Sequence, residues 1–263
     1  MKTVTIHTLN DLKRAGEKFP VITAYDSSFA RLVELAGIEV ALVGDSLGNV
    51  MLGFDSTVPV TMDHMLHHTA AVRRGNSKSL LIADLPFMAY ATPEQTLTNS
   101  AHLMQAGAQM VKLEGGEWLA ESVAMLNQRG IPVCGHLGLT PQSVNKFGGY
   151  RVQGRGQDDA EQMVRDAHLL EDAGASLLVL ECVPRDLAAR VSRELKMPVI
   201  GIGAGADTDA QVLVLQDMLG ISPRAPKFAR NFLAGAGDIL GALQAYAAAV
   251  RSGAFPQPEH TFT

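Results

Sequence analysis

Only two cysteines occur in the 263 residues, and both, Cys134 and Cys182, sit inside apolar runs rather than at loop spacings. That argues against a disulfide framework, and buried thiols are expected. No apolar run approaches the roughly 20 residues of a membrane span, and the opening MKTVTIHTLNDLKRAG carries no secretory-type apolar stretch. A soluble, cytoplasmic protein is expected. No Lys/Arg-rich block interrupts a formal net charge of -5, so the chain offers no electrostatic footprint for nucleic acid. A small-molecule partner is expected instead. Linkers, internal repeats and low-complexity tracts are also lacking, and a single α/β barrel needs about 250 residues, so 1–263 is read as one domain.

What the chain does contain is a set of five apolar runs that finish in an ionisable side chain: ALVGDS (41–46), LLIADLP (80–86), MVKLEGG (110–116), PVCGHLG (132–138) and SLLVLEC (176–182). Each reads as a short parallel strand buried on both faces, with its ionisable residue at the C-terminal end, where parallel α/β folds place chemistry. Asp45, Asp84, Lys112, Glu114, His136 and Glu181 are the resulting candidates for a shared site.

Helical periodicity separates these runs. Thr92-Pro93-Glu94-Gln95 combines an N-cap residue, Pro at the first helical position and Gln at the third, and Gly107 closes the segment. Further helices are expected over 28–36, 62–74, 118–128, 158–173, 185–195, 207–215 and 231–250. Adding strands at 20–25 and 198–205 and a weak eighth at 217–221 makes eight strand-helix pairs, the signature of a (β/α)8 TIM barrel. A preceding helix at 9–16 is expected to cap the barrel bottom, and the tail after Ser252 to form an extended arm. Two connections, 47–61 and 139–157, exceed the usual few residues. The second, with Lys146, Tyr150, Arg151 and Arg155, fits a lid over the mouth and fits a subunit contact equally well.

Side chains alternate along a strand, so Lys112 and Glu114 point the same way, as do Cys134 and His136. Asp45, Asp84 and Glu114 then bring carboxylates from three neighbouring strands, an oxygen-rich set suited to Mg2+. Zinc fits less well, because His136 is the only strand-end histidine and Cys134 lies one pleat deeper. His64, His67 and His68 form an i, i+3, i+4 set, but on a helix outside the barrel they read as surface or interface residues. Lys112 beside a metal can hold an anionic substrate or a developing oxyanion; a Schiff base is open in principle, although a neighbouring Glu114 favours the charged amine. Glu181 ends the run Leu177-Leu178-Val179-Leu180, where burial would raise its pKa toward the range of a general base. Gly201 to Ala206 matches the dinucleotide pattern G-x-G-x-x-G/A only loosely and in the wrong unit of the fold.

The stretches TAYD (23–26), VGDSLG (43–48), ADLPFMAYATPEQ (83–95), VKLEGG (111–116), PVCGHLGLTPQ (132–142), FGGYRVQGRG (147–156), LLVLECVP (177–184), VIGIGAG (199–205) and PKFARNF (226–232) closely resemble the ketopantoate hydroxymethyltransferase family. The resemblance implies a Mg2+-dependent barrel of the phosphoenolpyruvate/pyruvate superfamily, assembled as a homodecamer, that joins 3-methyl-2-oxobutanoate to a one-carbon unit from 5,10-methylenetetrahydrofolate. Carried over by position, it implies a metal at Asp45, Asp84 and Glu114, and the oxo acid at Asp45, Ser46, Asp84 and Lys112. It also implies His136 on the pocket wall and Glu181 as proton acceptor. Gln216 and Ala210 depart from the family pattern, which bears on folate-side or assembly details rather than on reaction class. A lyase of the isocitrate lyase-like type is the alternative, but Pro132 and Val133 stand where its KKCGH motif has two lysines.

Overall fold

Eight parallel strands pair in chain order and close on themselves: β1 (Phe19–Thr23), β2 (Val40–Val43), β3 (Leu80–Asp84), β4 (Met110–Glu114), β5 (Val133–Gly138), β6 (Leu177–Glu181), β7 (Val199–Ile202) and β8 (Ala210–Leu213). The computed structural model describes residues 2–263. Closure comes from β1 pairing with β8, with Phe19 opposite Ala210 and Val21 opposite Val212. Val, Ile and Leu dominate the strands because both faces are covered, the inner by the barrel axis and the outer by helices.

The helices are α1 (Ile6–Ala15), α2 (Ser27–Leu35), α3 (Leu47–Val50), α4 (Met62–Gly75), α5 (Pro93–Gln105) and α6 (Ala120–Gln128), followed by α7 (Val144–Phe147), α8 (Gln157–Asp172), α9 (Arg185–Glu194), α10 (Leu215–Met218) and α11 (Ile239–Arg251). Their ends are chemically marked. The Thr92 side chain accepts from Gln95 N–H at the start of α5, with Pro93 following it, and Asp26 accepts from Ser28 and Phe29 N–H at the start of α2. No helix among the described residues is long and apolar enough to cross a membrane.

Strand alternation divides the core in two. The inward set contains Phe19, Val21, Val40, Leu42, Leu80, Ile82, Met110, Cys134, Leu177, Val179, Ile200, Ile202, Ala210 and Val212, joined by Val4 and Leu9. Leu9 is fully buried, so α1 does plug the bottom of the barrel. Continuing the same inward parity toward the strand ends gives Asp84, Lys112, Glu114, His136 and Glu181. The apolar floor therefore carries a charged rim.

Three expectations fail in the last third of the chain. The segment expected as helix at 207–215 contains β8, and the eighth strand expected at 217–221 is instead the end of α10 and the turn after it. Ala, Gln and Leu in DAQVLVLQ favour a helix locally, but ladders to β1 and β7 override that preference. Gln211 is buried in consequence, its side-chain amide donating to Gly205 O at 2.9 Å and Thr208 Oγ1 at 2.8 Å. No helix lies between β7 and β8, and α11 covers the closing seam, where the Tyr246 hydroxyl reaches Val21 O and Gln211 O, each at 2.9 Å. The helix expected over 231–250 starts only at Ile239. Gly235 and Gly237 both adopt positive φ, and Asp238 caps the helix by accepting from Gly241 N–H.

Candidate active site

The charged rim closes the floor of a cavity of about 950 Å3 at the C-terminal mouth of the barrel, and Asp45, Ser46, Asp84, Lys112, Glu114, His136 and Glu181 all line it. All seven residues expected at the site are thus brought together. Asp45 lies in the turn just after β2. Residue 44 is Gly, and a Cβ there would lie 2.8 Å from Ser46 Oγ, so a larger residue would push the Ser46 hydroxyl from its place.

Ion pairs link the rim residues to one another. Lys112 Nζ lies 3.1 Å from Asp84 Oδ2 and 3.8 Å from Glu114 Oε1, and Asp84 Oδ2 also accepts the Asp45 N–H at 3.0 Å. His136 stands between two carboxylates, with Nδ1 3.2 Å from Glu114 Oε1 and Nε2 3.3 Å from Glu181 Oε2. Lys112 Nζ also approaches His136 Nδ1 at 3.3 Å. Glu181 is the most open of the four acids, its side chain 13% exposed. Ser46 Oγ and Tyr25 OH share a hydrogen bond of 2.9 Å.

Charges on the rim are strongly coupled. Burial pushes the Asp45 carboxyl well above the usual range, and repulsion from Glu114 and Asp84 adds to it. Burial also raises Asp84, against the pull of Lys112. Burial opposes ionisation of Glu114, but the His136 hydrogen bond and charge, with Lys112, hold it below the usual value. Burial likewise disfavours a charged Lys112, yet Asp84, Glu114 and Asp45 keep the amine charged over the whole working range. Four carboxylates facing two cations leave an excess of negative charge in a site where water screens poorly.

His136 gives a pH test of this arrangement. Burial and the Lys112 charge lower its pKa, but Glu114 and Glu181 outweigh them and lift it from 6.5 to about 9. The folded ring therefore keeps a proton that the unfolded chain has lost, so its contribution to stability is complete below pH 6.5 and disappears as pH rises through about 9. Thermal melts in chelator are expected to show a falling midpoint across that window, and His136→Gln should flatten the fall.

Both cysteines are free and buried, and burial pushes the Cys134 thiol up to about 12. It packs on the barrel floor. The histidines of α4 serve local structure: His64 Nδ1 accepts the Thr61 N–H at the helix start, and His68 Nδ1 lies 2.6 Å from Tyr25 O. Gln216, on α10, reaches the cavity, whereas Ala210 is buried in β8. From the 139–157 connection, Tyr150 and Arg151 line the cavity and Lys146 does not. Gln142 was missed at the sequence level: its backbone N–H donates to Glu114 Oε2 at 3.0 Å and its Nε2 to Asp45 Oδ2 at 2.8 Å. An uncharged residue after a Thr-Pro turn carries no signal of such a role. Phe262 was also missed; the C-terminal arm returns to the mouth, where Phe262 O accepts from Arg185 N–H at 3.0 Å and the residue lines the cavity.

Among solved structures, the barrel is similar to phosphonopyruvate hydrolase in a complex with oxalate and Mg++, with a TM-score of 0.61, 15% identity and 81% of each chain covered. It is also similar to 2,3-dimethylmalate lyase of the PEP mutase/isocitrate lyase superfamily, with a TM-score of 0.56, 16% identity, and 79% of this chain and 80% of that one covered. These likenesses establish the barrel type. Sequence is more specific. A 3-methyl-2-oxobutanoate hydroxymethyltransferase of Cronobacter sakazakii is 61% identical over 263 residues, covering 100% of both chains, and one of Saccharophagus degradans is 60% identical over 261 residues, covering 99% of this chain and 97% of its own. With the family profile matching residues 3–258, nearly the whole barrel and every rim residue, the chain belongs to the ketopantoate hydroxymethyltransferase family.

Proposed function

We propose that this protein forms ketopantoate by joining C3 of 3-methyl-2-oxobutanoate to the methylene carbon of 5,10-methylenetetrahydrofolate, with Glu181 as the base. The observation that carries the reading is the convergence of Asp45, Ser46, Asp84, Lys112, Glu114, His136 and Glu181 on one cavity in a chain matched by the family almost end to end. Glu181 would take the C3 proton, the C3 electron pair would form the new bond to the one-carbon unit, and water would supply the hydroxyl as tetrahydrofolate leaves. Lys112 offsets negative charge that develops on the oxo acid, and its ion pairs with Asp84 and Glu114 hold it in place. Ser46, held by Tyr25, offers a hydroxyl to the substrate carboxylate. His136 keeps Glu181 oriented.

The residues fit a divalent cation such as Mg2+. Asp84 Oδ1 is buried with no hydrogen-bond partner, the donors are all oxygens, and the rim carries surplus negative charge. Among the described residues no three His, Cys, Asp or Glu side chains form a closed ligand set. A hard cation such as Mg2+ takes one or two carboxylates and completes its shell with water and substrate oxygens. Asp45 and Asp84 would hold it, with Glu114 next to them. When bound, it would supply Lewis-acid stabilisation of charge on the oxo-acid oxygens, worth several kcal/mol. A homodecameric assembly belongs to the same reading; exposed Phe87, Met88 and Trp118 support contact with further copies of the chain.

Incubation with 3-methyl-2-oxobutanoate, methylenetetrahydrofolate and Mg2+ is expected to yield ketopantoate, detected by mass spectrometry. Without folate, C3 of the oxo acid should still exchange its proton for deuterium. Absence of both would overturn the assignment.

A further inference from the structure

Gln142 follows β5, in the short turn Pro141–Ser143, yet it reaches across to the turn after β2 and to the end of β4. It is 6% exposed. Every polar atom of its side chain is used. Nε2 donates to Asp45 Oδ2 at 2.8 Å and to Leu85 O at 3.0 Å, while Oε1 accepts from Tyr90 OH at 2.5 Å. The opposite orientation would set an oxygen against a carboxylate and a carbonyl and lose both bonds, so the partners allow one orientation only. Tyr90 is itself held: its hydroxyl lies 3.3 Å from Glu114 O, and its ring stacks on Trp118 at 5.9 Å with planes 11° apart.

We propose that Gln142 is the positioning residue of the cation site: it fixes the carboxylates of Asp45 and Glu114 from one side chain and one backbone N–H, and Tyr90 fixes Gln142. The inference rests on the cation reading above. An amide suits the task because it donates without adding charge. A lysine or arginine here would neutralise Asp45 and remove the surplus charge that attracts a cation; an acid would repel both carboxylates. The arrangement also joins the rim to the 139–157 connection, so displacement of that segment would free Asp45 and remove one of the bonds to Glu114.

Mn2+ uptake, followed by the loss of the free-ion electron paramagnetic resonance signal, tests the idea on the intact protein without relying on turnover. Outer partners of metal ligands are typically worth 10- to 100-fold in affinity, so Gln142→Met should weaken Mn2+ binding by about ten-fold or more. Tyr90→Phe, which removes only the anchor of the amide, should weaken it by a few-fold while lowering the melting midpoint by no more than a few degrees. Activity of Gln142→Met should recover as the cation is raised, which a merely structural role would not produce. Equal Mn2+ affinity in the parent protein and in both variants would overturn the role of Gln142 and leave the cation reading standing. No uptake by the parent protein would remove the cation reading and this inference with it. Should Gln142→Met fail to fold, Tyr90→Phe decides alone.

Discussion

Glu181→Gln is expected to lower ketopantoate formation by about 10²- to 10⁴-fold, the contribution typical of a positioned base. Deuterium exchange at C3 of 3-methyl-2-oxobutanoate, measured without folate, should fall by a similar factor. The substitution keeps shape and an oxygen that can accept from His136 Nε2, which lies 3.3 Å from Glu181 Oε2, so the rim should stay assembled. Mn2+ affinity should therefore be unchanged, because Glu181 lies on β6, apart from Asp45 and Asp84. Glu181 is singled out by having His136 as its one charged partner and by being the most exposed acid of the rim. Glu114 is tied to Gln142, Lys112 and His136, Asp84 to Lys112 and the Asp45 N–H, and Asp45 to Gln142. Normal exchange in the variant would overturn Glu181 as the base.

The barrel and its rim were legible for one physical reason. Parallel strands buried on both faces leave an uninterrupted apolar run, and a charge at its end has no bland place to go. Asp84, Lys112, Glu114, His136 and Glu181 were recognisable on that ground, with strand alternation giving the shared direction of Lys112 and Glu114. The eighth strand was not legible, because Ala210–Leu213 is only four residues long and its strand character comes from the ladders to β1 and β7, not from local preference. Gln142, Tyr25 and Tyr90 were hidden for a different reason. They act through hydrogen bonds between residues distant in sequence, such as Gln142 to Asp45, and no periodicity encodes such a contact. Phe262 depends on where the arm returns, which a Pro-containing tail does not announce.

Lys112→Met should be the most destabilising change on the rim and should also remove most of the activity. Lys112 is 4% exposed and is paired with Asp84 and Glu114, so solvent cannot screen what its removal uncovers. Breaking a buried pair by deleting one partner costs about 3–5 kcal/mol, and for a chain of this size that corresponds to a fall in melting midpoint of roughly 10 °C. The sign of the pH response follows from what remains. Asp45 and Asp84 are already pushed upward by burial, and without Lys112 they would bind protons more readily still. The folded variant then holds protons that the unfolded chain releases as pH rises above the ordinary carboxylate range. Its stability should consequently drop more steeply than that of the parent between about pH 4 and neutrality, and the two should draw together in acid. Added Mg2+ should restore more stability to the variant than to the parent, since the uncovered carboxylates have gained a reason to bind it. Activity assayed well below both melting midpoints separates the two roles. A loss of about 10²- to 10³-fold there, in folded protein with Mg2+ present, assigns Lys112 to charge stabilisation on the substrate, whereas full activity would reduce it to a structural counter-ion.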